Sequence, residues 1–242
     1  MHMPLNLKII FLSACLLLTG CGEIDDNAKT PFEPADPNIM IQMAVEKQRI
    51  GAYDEAIDIL RQTLELDPQF VPAYSRMGLV YDEADQRKEA IESFNKVLEM
   101  EPKNLQARLA LGEVYSKMTR NDLAVAEFLK AESLQPDDTE ILFKIALQYW
   151  YHQKIQEAAE YYQKILVIDP NHTQAHLNLI SVYEKLKNWE KAIEEIEISK
   201  HLGRKNNDAQ AISIAERKLA FIKGRMIMTD KDLERKTQPP FD

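Results

Sequence analysis

From residue 37 to about residue 206, apolar side chains recur at spacings of three and four, the period of a helix that buries one stripe. These stretches come in pairs, and the pairing itself repeats. YDEAIDILRQTLELDP ends at Pro68, and MEPK, LQPD and VIDP bring Pro102, Pro136 and Pro170, each 34 residues after the last. Registered on those prolines, the chain divides into five units: 37–70, 71–104, 105–138, 139–172 and 173–206. Each unit predicts two helices. The proline closes the second, because its ring cannot continue a helix and it lacks an amide hydrogen to donate.

The register repeats in detail. Position seven of the unit is Met43, Met77, Leu111, Ile145 or Leu179. Position eight is small in four units, with Ala44, Gly78, Gly112 and Ala146. Position eleven is Tyr81, Tyr115, Tyr149 and Tyr183, broken by Lys47, and position twenty is alanine throughout: Ala56, Ala90, Ala124, Ala158 and Ala192. Position twenty-four is Leu60, Phe94, Phe128, Tyr162 or Ile196. A small residue on each helix lets the two backbones approach, and the large residues fill the space beside that contact. A fixed period in this range is the mark of stacked helical repeats.

The combination resembles the tetratricopeptide repeat (TPR) family over about 170 of the 242 residues. The resemblance implies an all-α fold, a right-handed α-solenoid of five helical hairpins plus a C-terminal capping helix. The ends of the stack depart from the pattern. Unit one has Met40, Met43 and Lys47 where its siblings favour aromatics, and unit five has Ile180 at the small position and Arg204 in place of a proline. Gly203 is expected to stop the last repeat helix. Asn207-Asp208 can then cap a new helix over 207–228, whose Ile212, Ala215, Leu219 and Ile222 share one stripe. Such a helix should cover the exposed end of unit five. The polar segment 229–242 reads as a disordered tail.

The N-terminus carries a different signal. Lys8 precedes a run of ten largely apolar residues, Ile9 to Leu18, followed by Thr19-Gly20-Cys21. A basic start, a short apolar run and a small-residue cleavage region make a secretory signal peptide over 1–20. The run is too short for a membrane span of about 20 residues. Leu18-Thr19-Gly20-Cys21 resembles the lipobox of bacterial lipoproteins, which implies lipid modification of Cys21. Gly22 stands where an aspartate retains many such proteins at the inner membrane, so the family analogy favours the outer membrane, with the protein facing the periplasm. Residues 22–36 hold acids and prolines without a helical apolar period and read as a flexible tether.

Charge and cysteine content narrow the partners. The chain carries a formal charge of −9 and two cysteines. Cys15 leaves with the signal and Cys21 takes the lipid, so the mature protein has neither a disulfide nor a free thiol, and its repeats must be stable from their core alone. An acidic chain without a Lys/Arg-rich run excludes nucleic acid as the expected partner. Membrane attachment is then expected through the lipid only. No glycine-rich phosphate loop, GxSxG motif or Cys/His pair is present, and no cofactor is implied. His172 and His176 have metal-ligand spacing in HTQAH, but no carboxylate motif accompanies them. They read as a loop histidine and a packing histidine. Asp82-Glu83 and Glu194-Glu195 read as solvated helix residues.

In the TPR family, positions two, five, nine and twelve of the first helices face a concave ligand groove. Carried over, that resemblance places Leu79, Asp82, Leu109, Glu113, Ser116, Phe143, Leu147, Trp150 and Glu184 in a partner-binding groove. Of the residues at those positions none is Lys or Arg, while Asp82, Glu113, Glu140 and Glu184 are acidic. An anionic ligand finds no counter-charge among them, so an apolar or basic segment of a partner is expected. Several of the apolar ones, Ile41 and Leu177 among them, also suit the core between neighbouring helices. Phe143, Leu147 and Trp150 form one stripe, and Trp150 replaces the polar Gln48, Asp82, Ser116 and Glu184 of the other units. That is the profile of either a binding anchor or local packing against Tyr151 and the adjacent turn. The expected function is a non-catalytic scaffold that holds a protein or peptide partner during assembly of an envelope complex such as a pilus, secretion or outer-membrane machine. A self-associating scaffold and an accessory regulator of a cell-wall enzyme stay open beside it. The oligomeric state is not legible.

Overall fold

The computed structural model describes residues 36–237, with side chains through Met226. The expected signal peptide, Cys21 and the tether up to residue 35 lie outside the described residues, as do residues 238–242. Eleven helices follow one another among the described residues. Unit one is α1 (Pro37–Arg49) and α2 (Tyr53–Leu66), and unit two is α3 (Val71–Glu83) and α4 (Arg87–Met100). Unit three is α5 (Leu105–Lys117) and α6 (Asn121–Glu132), and unit four is α7 (Thr139–Tyr151) and α8 (Ile155–Ile168). Unit five is α9 (Thr173–Lys185) and α10 (Trp189–Lys205), and α11 (Ala209–Thr237) packs on α10 and α9. The fold is an α-solenoid of five hairpins with a terminal helix.

Each first helix ends in the same way. Position fifteen has positive φ in every unit: Gly51 at 77°, Asp85 at 61°, Thr119 at 57°, Gln153 at 60° and Lys187 at 55°. The next amide reaches back to the carbonyl at position eleven, as Gln86 N–H does to Tyr81 at 2.8 Å and Arg120 N–H to Tyr115 at 2.9 Å. With the Asp85-to-Asp82 bond this makes a Schellman cap, which satisfies carbonyls the helix leaves unpaired.

The repeating proline has an equally concrete role. Asp67, Glu101, Gln135 and Asp169 accept a bond from the amide three residues on, closing a turn with Pro68, Pro102, Pro136 or Pro170 at its second position. Where the proline is missing, the helix runs on. Arg204 lets α10 reach Lys205, 17 residues against 14 for α2, α4 and α8. Gly203 therefore does not stop the helix. It lies buried inside it, where a Cβ would come within 2.7 Å of Ile212 on α11. The glycine is needed for close approach of the capping helix. Asp208 caps that helix by accepting from Ala211 N–H at 2.9 Å. α11 continues to Thr237, so residues 229–237 are helical rather than a disordered tail.

Within the hairpins, the alanines at position twenty are fully buried, and a Cβ on Gly78 or Gly112 would lie 2.5 Å from the ring of Phe94 or Phe128. The core falls into three neighbouring clusters: one from α1 to α5, a small one around Phe128 and Ile145, and one from α7 to α11. Contacts run from each helix to its sequence neighbours, as a one-dimensional stack requires. Met43 is an exception at position seven, since it is exposed in unit one.

Candidate functional site

First helices of neighbouring units approach one another, α1 with α3 and α3 with α5, while successive second helices make no comparable contact among the described residues. The first helices therefore form the inner side of the stack. Two adjoining hollows open on that side in units one to three. One, of about 230 Å³, is lined by Ser75, Leu79, Gln106, Leu109, Ala110 and Glu113, with Ala107 and Phe94 beneath. The other, of about 380 Å³, lies between Ile41, Val71, Pro72, Arg76, Glu101 and Asn104. Ser75 and Leu79 border both hollows. The space exists because Ser75, Ala107 and Ala110 are small where α3 and α5 face each other. Leu79 is partly exposed there despite its size.

Leu79, Leu109 and Glu113 of the expected groove thus come together around one hollow. The acids are not free. Asp82 is bonded to Arg87 at 3.1 Å and to Lys117 of the next unit at 2.5 Å. Glu113 pairs with Lys144 at 2.5 Å, and Glu184 with Lys218 of α11 at 2.7 Å. Ser116 accepts from Gln148 at 2.8 Å, and Gln48 accepts from Arg76 at 3.3 Å. Apart from the Asp82–Arg87 pair, each of these links crosses from one unit to the next, or from unit five to α11. The acidic groove expected from the sequence is largely neutralised by basic residues at other repeat positions, so Asp82 is not a merely solvated side chain. An apolar segment fits this surface without displacing an ion pair. A basic segment would have to compete.

Unit four is different. Phe143 meets Tyr162 edge-on at 5.8 Å and stacks on His172 at 5.6 Å. Phe143 and Trp150 pack against the C-terminal core cluster, and Leu147 is half-buried. Leu177 is buried as well, and Ile41 packs on the N-terminal cluster. Phe143 and Trp150 are thus packed against the C-terminal core while Leu79 and Leu109 border open space. The sequence reading did not pick out Ala110, Arg76, Glu101 or Asn104. A small residue beside Leu109 was the available signal for Ala110. Glu101 and Asn104 belong to the turn before α5, which a reading by helix positions leaves out.

The histidines also have defined roles. His172 caps α9, its Nδ1 accepting from Ala175 N–H at 3.2 Å. His176 is buried between the Glu195 carboxylate, 2.5 Å from Nδ1, and the Pro170 carbonyl, 3.1 Å from Nε2. Both neighbours are acceptors, so only an imidazolium satisfies both. Burial opposes the charge, but Glu195, Pro170 and the more distant Asp169 outweigh it and raise the pKa of His176. Glu195 is thereby a partly buried partner of His176, not a fully solvated residue. Among the described residues no group of three or more His, Cys, Asp or Glu side chains is placed to hold a metal ion, and no helix is long and apolar enough to cross a membrane.

Paired helices stacked around an apolar trough define a helical-repeat interaction scaffold. The tetratricopeptide repeat pattern matches residues 83–142 and 149–213, and the chain belongs to that family. No curated protein matches the sequence. Among solved structures, MamA aligns with a TM-score of 0.64 at 21% identity, over 72% of this chain and 94% of that one. YrrB, a TPR protein with an unusual peptide-binding site, aligns at 0.60 and 26% identity over 75% and 92%. PilF of Pseudomonas aeruginosa aligns at 0.55 and 20% identity over 76% and 90%.

Proposed function

We propose that this protein is a non-catalytic scaffold that holds an extended apolar segment of a protein partner in the trough of units one to three. The pair of hollows meeting at Leu79 carries the reading. They are open, mostly apolar, and bordered by ion pairs that tie adjacent units together. The similarity to YrrB, a TPR protein with a peptide-binding site, supports a peptide as the form of the ligand. Leu79→Glu places a charge between the hollows. It should abolish partner retention in a crosslinked pull-down from membranes while leaving the melting temperature unchanged, since the side chain is partly solvated already. Retention at the wild-type level would reject the trough as the site.

The setting rests on the sequence: an apolar run ending in a lipobox-like Leu18-Thr19-Gly20-Cys21, then an acid- and proline-containing tether. It supports a lipid-anchored protein facing the periplasm, at the outer membrane, where the scaffold would serve assembly of an envelope machine. Cys21→Ser should release the protein from the membrane fraction or block its processing. Full sedimentation of that variant with membranes would sink the anchor.

A further inference from the structure

Unit one is built like an internal repeat on the side where the stack begins. In units two to five the second helix of the preceding unit packs against the first helix of the next, and positions three, seven and ten of that first helix are closed off. Ala73, Ala107, Ile141 and Ala175 hold position three, Met77, Leu111, Ile145 and Leu179 position seven, and none is more than 9% exposed. Val80, Val114, Gln148 and Val182 at position ten are equally buried. Unit one has Ile39, Met43 and Glu46 at these places, and Ile50 follows at the helix C-cap. Ile39 is 59% exposed, Met43 38% and Ile50 60%. At the other end of the stack, α11 covers unit five and buries Ala211, Ala215 and Ile222 in doing so. One end is closed and the other is an apolar repeat face that no helix among the described residues covers.

We propose that this face pairs with its equivalent on a second copy, α1 against α1, antiparallel about a two-fold axis. Four observations favour that occupant. Ile39, Met43, Glu46 and Ile50 are spaced by four, three and four residues, the spacing of a helix–helix seam. An antiparallel pair centred between residues 44 and 45 sets Ile39 against Ile50 of the partner subunit, and Met43 against Glu46 of the partner subunit. Glu46 enters that seam neutralised, because Arg49 on the same helix holds it through two bonds at 2.6 and 2.9 Å. The charges of α1 are paired, Arg49 with Glu46 and Lys47 with Glu55 of α2 at 2.5 Å, so the helix adds no excess acid on a chain of charge −9, where two copies repel least. Finally, a face that pairs with its own equivalent about a two-fold axis is used up in both copies, so association stops at a pair instead of growing into a filament. In sequence, residues 22–35 are interrupted by Pro31 and Pro34 and carry no helical apolar period.

A single helix seam buries well under the roughly 800 Å² per partner of a standard interface. The dimer is therefore weak, with a dissociation constant on the order of 10–100 µM. If the lipid anchor holds, confinement to a membrane raises the effective concentration of the second copy. The test is sedimentation velocity on residues 22–242, which retain every cluster of the described core. Wild type should shift from monomer to dimer between about 5 and 200 µM. Ile39→Lys with Met43→Lys should stay monomeric throughout with an unchanged melting temperature, and Ile50→Lys alone should weaken the dimer at least tenfold. Val167→Lys, on the far more exposed end of α8, should leave it intact. A wild-type protein that remains monomeric, whether the face binds another protein or the chain's own N-terminal residues, overturns the proposal, and so does a dimer that survives the double substitution.

Discussion

Units two and three share a 34-residue frame with units four and five, yet the two halves treat their inner face in opposite ways. In the first half, Ser75, Ala107 and Ala110 are too small to close the gap between α3 and α5, and Leu79 and Leu109 stand over a hollow with Phe94 beneath it. In the second half the corresponding space is filled. Phe143 reaches Tyr162 and His172, Trp150 packs on the C-terminal cluster, and the buried His176 ties α9 to α10 and to the preceding turn. A large side chain on the ligand side of a repeat is thus not by itself a binding anchor. It can equally close the groove, whereas an apolar residue beside small neighbours, as Leu79 is, borders open space.

The largest effect should come from reopening the closed half. Tyr162→Ala removes a fully buried ring and the edge contact of Phe143, and should cost about 3–5 kcal/mol in urea unfolding. A cost near that of an exposed site would mean the half is not closed. Next comes Gly78→Ala, which drives a methyl into Phe94, the floor of the trough. It should destabilise by about 1–3 kcal/mol from overpacking, against a helix-propensity gain of about 1 kcal/mol. A net gain in stability would show that Phe94 yields readily.

The pH response sharpens the contrast further, because the His176 contact with Glu195 and the Pro170 carbonyl belongs to the closed half alone. The pKa of His176 is raised in the folded state, so the imidazolium contributes stability that is complete below its unfolded pKa of about 6.5 and fades as pH rises through the folded value. Wild type should lose its advantage over His176→Gln between near-neutral and alkaline pH. A difference independent of pH would assign His176 to packing alone. The smallest change is expected at Thr119, a β-branched residue held at a φ of 57°. Thr119→Gly should stabilise by at most about 1 kcal/mol, the relief of a left-handed backbone less the flexibility of glycine. Loss of stability there would mean the side chain matters more than the backbone.

The hairpins were legible because they rest on residue types with one physical meaning: proline to stop a helix, and alanine or glycine to admit a ring. The cap at position fifteen was not, since Gly51, Asp85, Thr119, Gln153 and Lys187 have no chemistry in common and follow the Schellman geometry around them. The length of α11 was missed for a related reason. TDKDLERKT looks like a tail by polarity, but Lys, Leu, Glu and Arg are good helix formers. That Leu79, Leu109 and Glu113 share one face of the stack was legible by register, and the structure puts them around one hollow. The charge state of the surface was not, because Lys117, Lys144 and Lys218 lie 31 to 35 residues from their acids and at positions outside the ligand-facing set. Trp150 stands out against its siblings in sequence, and the structure adds that it is partly buried against the C-terminal cluster.

The trough in units one to three is tested most directly by a photo-crosslinking amino acid placed in living cells at Leu79, at Trp150 and at Val167 in turn. Leu79 should give a covalent adduct with a partner protein, and Leu79→Glu in the Trp150-labelled chain should remove any adduct formed there. Val167, 83% exposed at the end of α8, should give none. Adducts at Trp150 or Val167 with none at Leu79 would contradict the trough as the site where this scaffold holds its partner.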